Sequence, residues 1–97
     1  MELVTTQTVV VRSNRITDAM VDGEVVALHI DQGSCFGLNK VGSDIWQLLG
    51  KPIAVADICA YIVEKYDVDA ETGRTDVLEL LQGLLSVGMV ETVTTGS

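Results

Sequence analysis

The side chains able to do chemistry in this chain are few. His29 is its only histidine, and Cys35 and Cys59 are its two thiols. A cysteine nucleophile needs a base within hydrogen-bond reach and a further group that orients the base. His29 has no second histidine and no recognisable carboxylate partner, so no such constellation can be assembled. A structural zinc site takes about four ligands, more than these residues supply. The acidic cluster Asp67, Asp69 and Glu71 lacks the spacing of a calcium loop, and Asp69 already stands where a helix needs a cap. The stretch GSCFGLNKVGSDIW, from Gly33 to Trp46, places glycines ahead of a helix, but neither the phosphate-loop spacing nor the dinucleotide fingerprint follows. The expectation is binding without catalysis: no catalytic residue, no metal and no cofactor.

Charge narrows what could be bound. Six basic against fourteen acidic residues leave a net charge of −8, which repels nucleic acid and anionic membranes. No stretch approaches the roughly 20 apolar residues of a membrane span, and the start, MELVTTQTVVVR, lacks the basic opening and continuous apolar core of a secretory signal. Cys35 and Cys59, on a strand and a helix, read as buried or half-buried free thiols of a reducing compartment, which makes the protein cytoplasmic.

The elements that position these residues follow from periodicity. Thr8 to Arg12 is β-branched and apolar, a strand; Ser13 to Asp18 is polar and loop-like. Glu24 to Ile30 alternates, with Val26, Leu28 and Ile30 on one face and Val25, Ala27 and His29 on the less apolar other. Asp31 to Ser34 is a hairpin-sized turn, and Cys35 to Leu38 returns as a short strand with Phe36 and Leu38 on one face. From Asn39, a good N-cap, the period is helical: Val41, Ile45, Leu48 and Leu49 form one stripe, stopped by Gly50-Lys51-Pro52. Val55, Ile58, Cys59, Ile62, Val63 and Tyr66 form the stripe of a second helix, with Asp57 suiting its dipole. Asp69 caps a third, from about Ala70 to Val87, and Met89 to Val93 adds a short strand or extended tail. The predicted class is α+β, winged-helix-like: a three-stranded antiparallel sheet followed by three helices. Residues 8–93 form one domain, between a flexible start at 1–7 and a disordered tail at 94–97.

Two features resist a purely structural reading. Apolar residues wrap more of the third helix than one core-facing stripe requires. The surplus either packs on sheet and helices or lines a partly open groove. Gly83, mid-helix at a cost of about 1 kcal/mol relative to Ala, asks for a backbone packed against it, from this chain or from a partner. The strand Cys35–Leu38, if it lies at a sheet edge, is a template for an added strand, unless the N-terminus covers it. Trp46, out of phase with its helix stripe, reads as a core-margin residue, and His29 as a surface or half-buried one.

The run from Val21 to Val90 resembles the PqqD-like domains, also called RiPP recognition elements. The matching features are Asp22-Gly23-Glu24-Val25-Val26-Ala27-Leu28, Gly33 and Phe36, Leu38-Asn39 and Gly42, then Ile45-Trp46 and Leu48-Leu49. They continue with Tyr66-Asp67-Val68-Asp69, Asp76-Val77, Leu84-Leu85 and Gly88-Met89-Val90. Ile30 to Ser34 lacks the tyrosine-proline-glutamate run of the quinone-pathway proteins, and the chain looks more like the stand-alone recognition proteins of lasso-peptide clusters. Ala54 stands where many relatives carry a helix-capping serine or threonine.

The resemblance implies a non-catalytic domain that binds the leader of a ribosomally made precursor peptide. The leader would add as a strand along Ser34, Cys35, Phe36, Gly37 and Leu38, with side chains entering a cleft walled by Asp76, Val77, Leu80, Leu81 and Leu84. Some of these must also fill the core. A leader peptidase or other maturation enzyme would be the second partner. The alternatives are a structural or dimerisation module and, less compatible with the charge, a winged-helix DNA binder.

Overall fold

The computed structural model describes residues 4–93. Its elements run β1 (Val9–Arg12), β2 (Ile16–Val21), β3 (Glu24–His29), β4 (Cys35–Gly37), α1 (Lys40–Leu48), β5 (Ile53–Ala54), α2 (Val55–Tyr66), α3 (Ala70–Ser86) and β6 (Val90–Val93). The α+β class, the antiparallel three-stranded sheet and the three helices are all present, but the membership of that sheet differs from the sequence reading. It is β2-β3-β4, and β1 lies instead at the centre of a second antiparallel sheet, β5-β1-β6. The segment read as a polar loop, Ser13 to Asp18, thus holds the first half of strand β2. β2 shows no alternation because nearly all of it is exposed, so neither face is marked by apolar side chains. Its hairpin with β3 turns at Asp22 and Gly23, both at positive φ (52° and 82°), the conformation a two-residue turn needs. The tail proposed for 94–97 lies outside the described residues, as do residues 1–3 of the proposed flexible start; Val4 is buried in the core.

Helix boundaries follow their caps. The Asn39 side chain accepts from the Gly42 N–H at 2.8 Å, and Asp69 accepts from the Thr72 N–H at 3.3 Å. Ala54 gives α2 no side-chain cap; β5 instead runs straight into that helix, with the Val55 and Ala56 amides donating to the carbonyls of Thr8 and Thr6. α2 and α3 pack closely at Gly73, where a Cβ would come within 2.7 Å of Val63 Cγ2.

One cluster of side chains locks both sheets to α1. Trp46 is fully buried, not marginal, and its indole N–H donates to Asp18 of β2 at 2.6 Å. Arg12 of β1 donates from Nε and Nη2 to the Trp46 carbonyl, at 3.0 and 2.8 Å, and pairs with Asp18 at 3.2 Å. The guanidinium also lies over the indole ring, 4.8 Å from its centroid.

The β3 faces are the reverse of what hydropathy favours. Val25, Ala27 and His29 are buried, whereas Leu28 and Ile30 are exposed. When both faces of a strand are apolar, the layer packed against it decides which is covered, and α1 packs on β3. His29, expected at the surface or half-buried, is instead buried at 6% exposure, and its Nδ1 accepts from the Gln32 N–H at 3.3 Å. It organises the turn before β4.

Candidate functional site

β4 is an edge strand of three residues. Its hydrogen bonds to β3 fix which way each amide points. The His29 N–H donates to the Ser34 carbonyl and the Leu38 N–H to the Val25 carbonyl, both at 2.8 Å. Amide direction alternates along an antiparallel strand, so Ser34, Phe36 and Leu38 turn their main-chain groups toward β3. Cys35 and Gly37 turn theirs away, and among the described residues no strand pairs on that side. The N-terminal strand β1 pairs with β5 and β6 and leaves this edge open.

Ser43 holds the end of the strand in place. Its buried hydroxyl donates to the Leu38 carbonyl at 3.1 Å and accepts the Val25 N–H at 2.8 Å, pinning the point where the chain leaves β4 for α1. The GSCFGLNKVGSDIW stretch is therefore an open edge followed by its own brace.

α3 faces this edge across a groove. One recess, about 260 Å³, is lined by Phe36, Gly37 and Leu38 on the strand and by Leu80, Gly83, Leu84 and Val87 on the helix, with Glu79 at its border. A wider one, about 580 Å³, continues along Gly37, Leu38 and Asn39 to Val41, Gly42, Ile45, Leu80 and Asp76. At Gly83 a Cβ would meet nothing within 4 Å, so the missing side chain leaves open space in the groove rather than room for another part of this chain.

Of the residues expected at the site, Phe36, Gly37, Leu38, Leu80 and Leu84 share one recess, and Asp76 and Leu80 line the next. Ser34 and Cys35 lie along the strand, Cys35 exposed rather than buried. Val77 and Leu81 do not reach the groove. Both are fully buried and belong to the core face of the same helix.

The ionised groups brace the fold away from this edge. Asp44 of α1 accepts from the Tyr66 hydroxyl and pairs with Lys65 at 2.9 Å. Those contacts, Tyr66 first, hold the Asp44 carboxyl below its ordinary range and raise both partners. Burial pushes the Cys59 thiol up, which favours the neutral form. Among the described residues, no three of the His, Cys, Asp or Glu side chains converge as metal ligands.

The family model for coenzyme PQQ synthesis protein D (PqqD) matches residues 24–90, more than half of the chain. The chain belongs to the PqqD family. It is similar to the solved structure of TbiB1 in complex with the TbiA(beta) leader peptide, with 36% identity, a TM-score of 0.78, and coverage of 88% of this chain and 99% of that one. The lasso peptide synthetase B1 complexed with the leader peptide shares the fold, with a TM-score of 0.76 at 24% identity over 84% of this chain and 96% of that one. No curated protein matches the chain.

Within this PqqD-family fold, sequence reasoning missed several residues of the groove. Val41 and Ile45 carry only the signal of an ordinary helix stripe, Val87 only its share in the apolar surplus of the third helix, and Glu79 none. Gly83 did carry one, as an unexplained glycine in the middle of a helix. Ser43 carried none, because a buried serine bridging two strands looks in sequence like any helix serine.

Proposed function

We propose that this protein binds the leader region of a ribosomally synthesised precursor peptide and delivers it to a processing enzyme, by preference the leader peptidase of a lasso-peptide pathway. The leader adds as a strand to β4, taking its main-chain hydrogen bonds from Cys35 and Gly37. Its inward side chains fill the groove against Leu80, Gly83 and Leu84. The observation that carries this reading is the unpaired β4 edge standing opposite an apolar helix face with open space at Gly83. Membership of the PqqD family and the similarity to TbiB1, whose structure contains a leader peptide, support it.

In this reading the protein itself catalyses nothing. It raises the effective concentration of the precursor beside the enzyme, so that two modest affinities act together. The test is a titration with the leader segment of the precursor encoded beside its gene, followed by backbone amide shifts in NMR. Saturable shifts centred on Ser34–Leu38 and on the groove side of α3 are expected. Absence of shifts at high peptide concentration removes the function and leaves the fold.

A further inference from the structure

The exposed large hydrophobic residues among those described are Met20, Val21, Leu28 and Ile30, and all sit on the β2–β3 hairpin or one residue past its end. Cross-strand pairs share a face. The register therefore places Ala19, Val26 and Gly37 in one outward row and Thr17, Leu28 and Cys35 in the next. Val21 and Ile30 extend that outward surface at its two ends, and Met20 is exposed on the opposite face of the edge strand. Among the described residues, β2 is itself an open edge. Val25 turns its amide groups toward Leu38 and Ser43, so its partner Met20, and with it Asp18, presents unpaired main-chain groups outward.

We infer that this outward hairpin face is the docking surface for the processing enzyme, a folded protein presenting an apolar patch bordered by lysines or arginines. The inference rests on the reading of the β4 groove as a peptide site. Two observations select the occupant. The first is charge. Asp18 and Asp31 are paired with Arg12 and Arg15, but Asp22 and Glu24 at the hairpin turn have no ion-pair partner among the described residues. A second copy of this chain would bring another net charge of −8 and the same acidic rim, and like charges across an interface oppose association. A basic rim satisfies both carboxylates.

The second observation is continuity. The outward rows end on Cys35 and Gly37, the residues whose amides face the peptide edge. A recess of about 410 Å³ runs from Val21, Asp22 and Glu24 to Gly37, Leu38 and Asn39, joining hairpin and groove. A protein seated on the hairpin therefore lies beside the bound leader, where a peptidase must be.

The experiment is calorimetric titration of the leader peptidase encoded beside the gene into wild-type protein and into Val21→Glu, Leu28→Glu and Ile30→Glu, each confirmed as folded by circular dichroism. Enzyme affinity should fall about thirtyfold, as for loss of an interface anchor. Leader-peptide affinity should stay within about twofold, because none of the three substituted side chains lines the groove against α3. Asp22→Lys with Glu24→Lys should slow association with the enzyme and flatten its salt dependence. Unchanged enzyme binding by the folded glutamate variants overturns the inference, as does failure of the wild type to bind the enzyme. A wild-type dimer that these substitutions disperse also overturns it, giving the face to a second copy. If the wild type fails to bind leader while the variants lose the enzyme, the groove reading falls and the docking face stands.

Discussion

Among the described residues, the sheet β2-β3-β4 ends in two open edges built on opposite plans. At β4 the strand is three residues long, and α3 stands behind it, so an added strand finds recesses for its side chains. At β2 the strand is six residues long, almost entirely exposed, and none of the recesses along α3 reaches it. Main-chain hydrogen bonds are alike at any edge and carry little discrimination; the pockets beside an edge supply it. The first edge therefore suits a particular flexible sequence, and the second a preformed flat partner. On the proposed reading, one small sheet holds two ligands because each edge has a different backing.

The strongest test of that division is Leu80→Asp. A charge placed against a docked apolar side chain should cost on the order of 3 kcal/mol, about a hundredfold in leader affinity, by calorimetry. Met20→Asp at the other edge should leave leader affinity unchanged. If both weaken it alike, the two edges are not separate sites.

Gly37→Pro comes next. It removes an outward N–H without touching the β3 ladder, and should weaken the leader by roughly tenfold, the upper range for one hydrogen bond. Met20→Pro, which removes an outward N–H from β2, should leave leader binding as it is.

Gly83→Ala sharpens the same division from within α3. With nothing within 4 Å of the new Cβ, the substitution should raise stability by about 0.8 kcal/mol, read from the urea midpoint. Leader affinity should fall at the same time. A gain in stability without loss of affinity would mean that the open space at Gly83 is not used.

The smallest effect concerns a brace remote from both edges. The folded-state pKa of Asp44 lies below its unfolded value, so its stabilisation is fully present above the ordinary carboxylate range and is lost as pH falls through the folded value. Urea midpoints measured from neutral pH into acid should drop more for the wild type than for Asp44→Asn. Leader affinity at neutral pH should be the same for both.

How far the sequence could be read depended on where each signal originates. Helices announce themselves locally, and Asn39 and Asp69 cap α1 and α3 in the structure as their side chains suggest. Strand pairing does not, because β1 takes its partners from Ile53–Ala54 and Val90–Val93, on either side of two helices. β2 was hidden by its own exposure, although Asp22-Gly23 is a hairpin signal that stood in plain view. The β4 edge was legible as a possibility, while the groove was legible only as a surplus of leucines. Periodicity could not say that Leu80 faces the opening, that Leu84 lines it while buried, and that Val77 and Leu81 belong to the core alone, since α3 is apolar on both sides.

The site occupied by Trp46 has a practical consequence. It is the chain's only tryptophan, and it sits where Arg12 of one sheet and Asp18 of the other meet on α1. Its emission is thus an intrinsic gauge of whether the two sheets come apart together. A single fluorescence transition superimposed on the loss of far-ultraviolet ellipticity would identify the whole molecule as one cooperative unit. An earlier fluorescence change would identify the β2–β3 hairpin as a subdomain that opens alone.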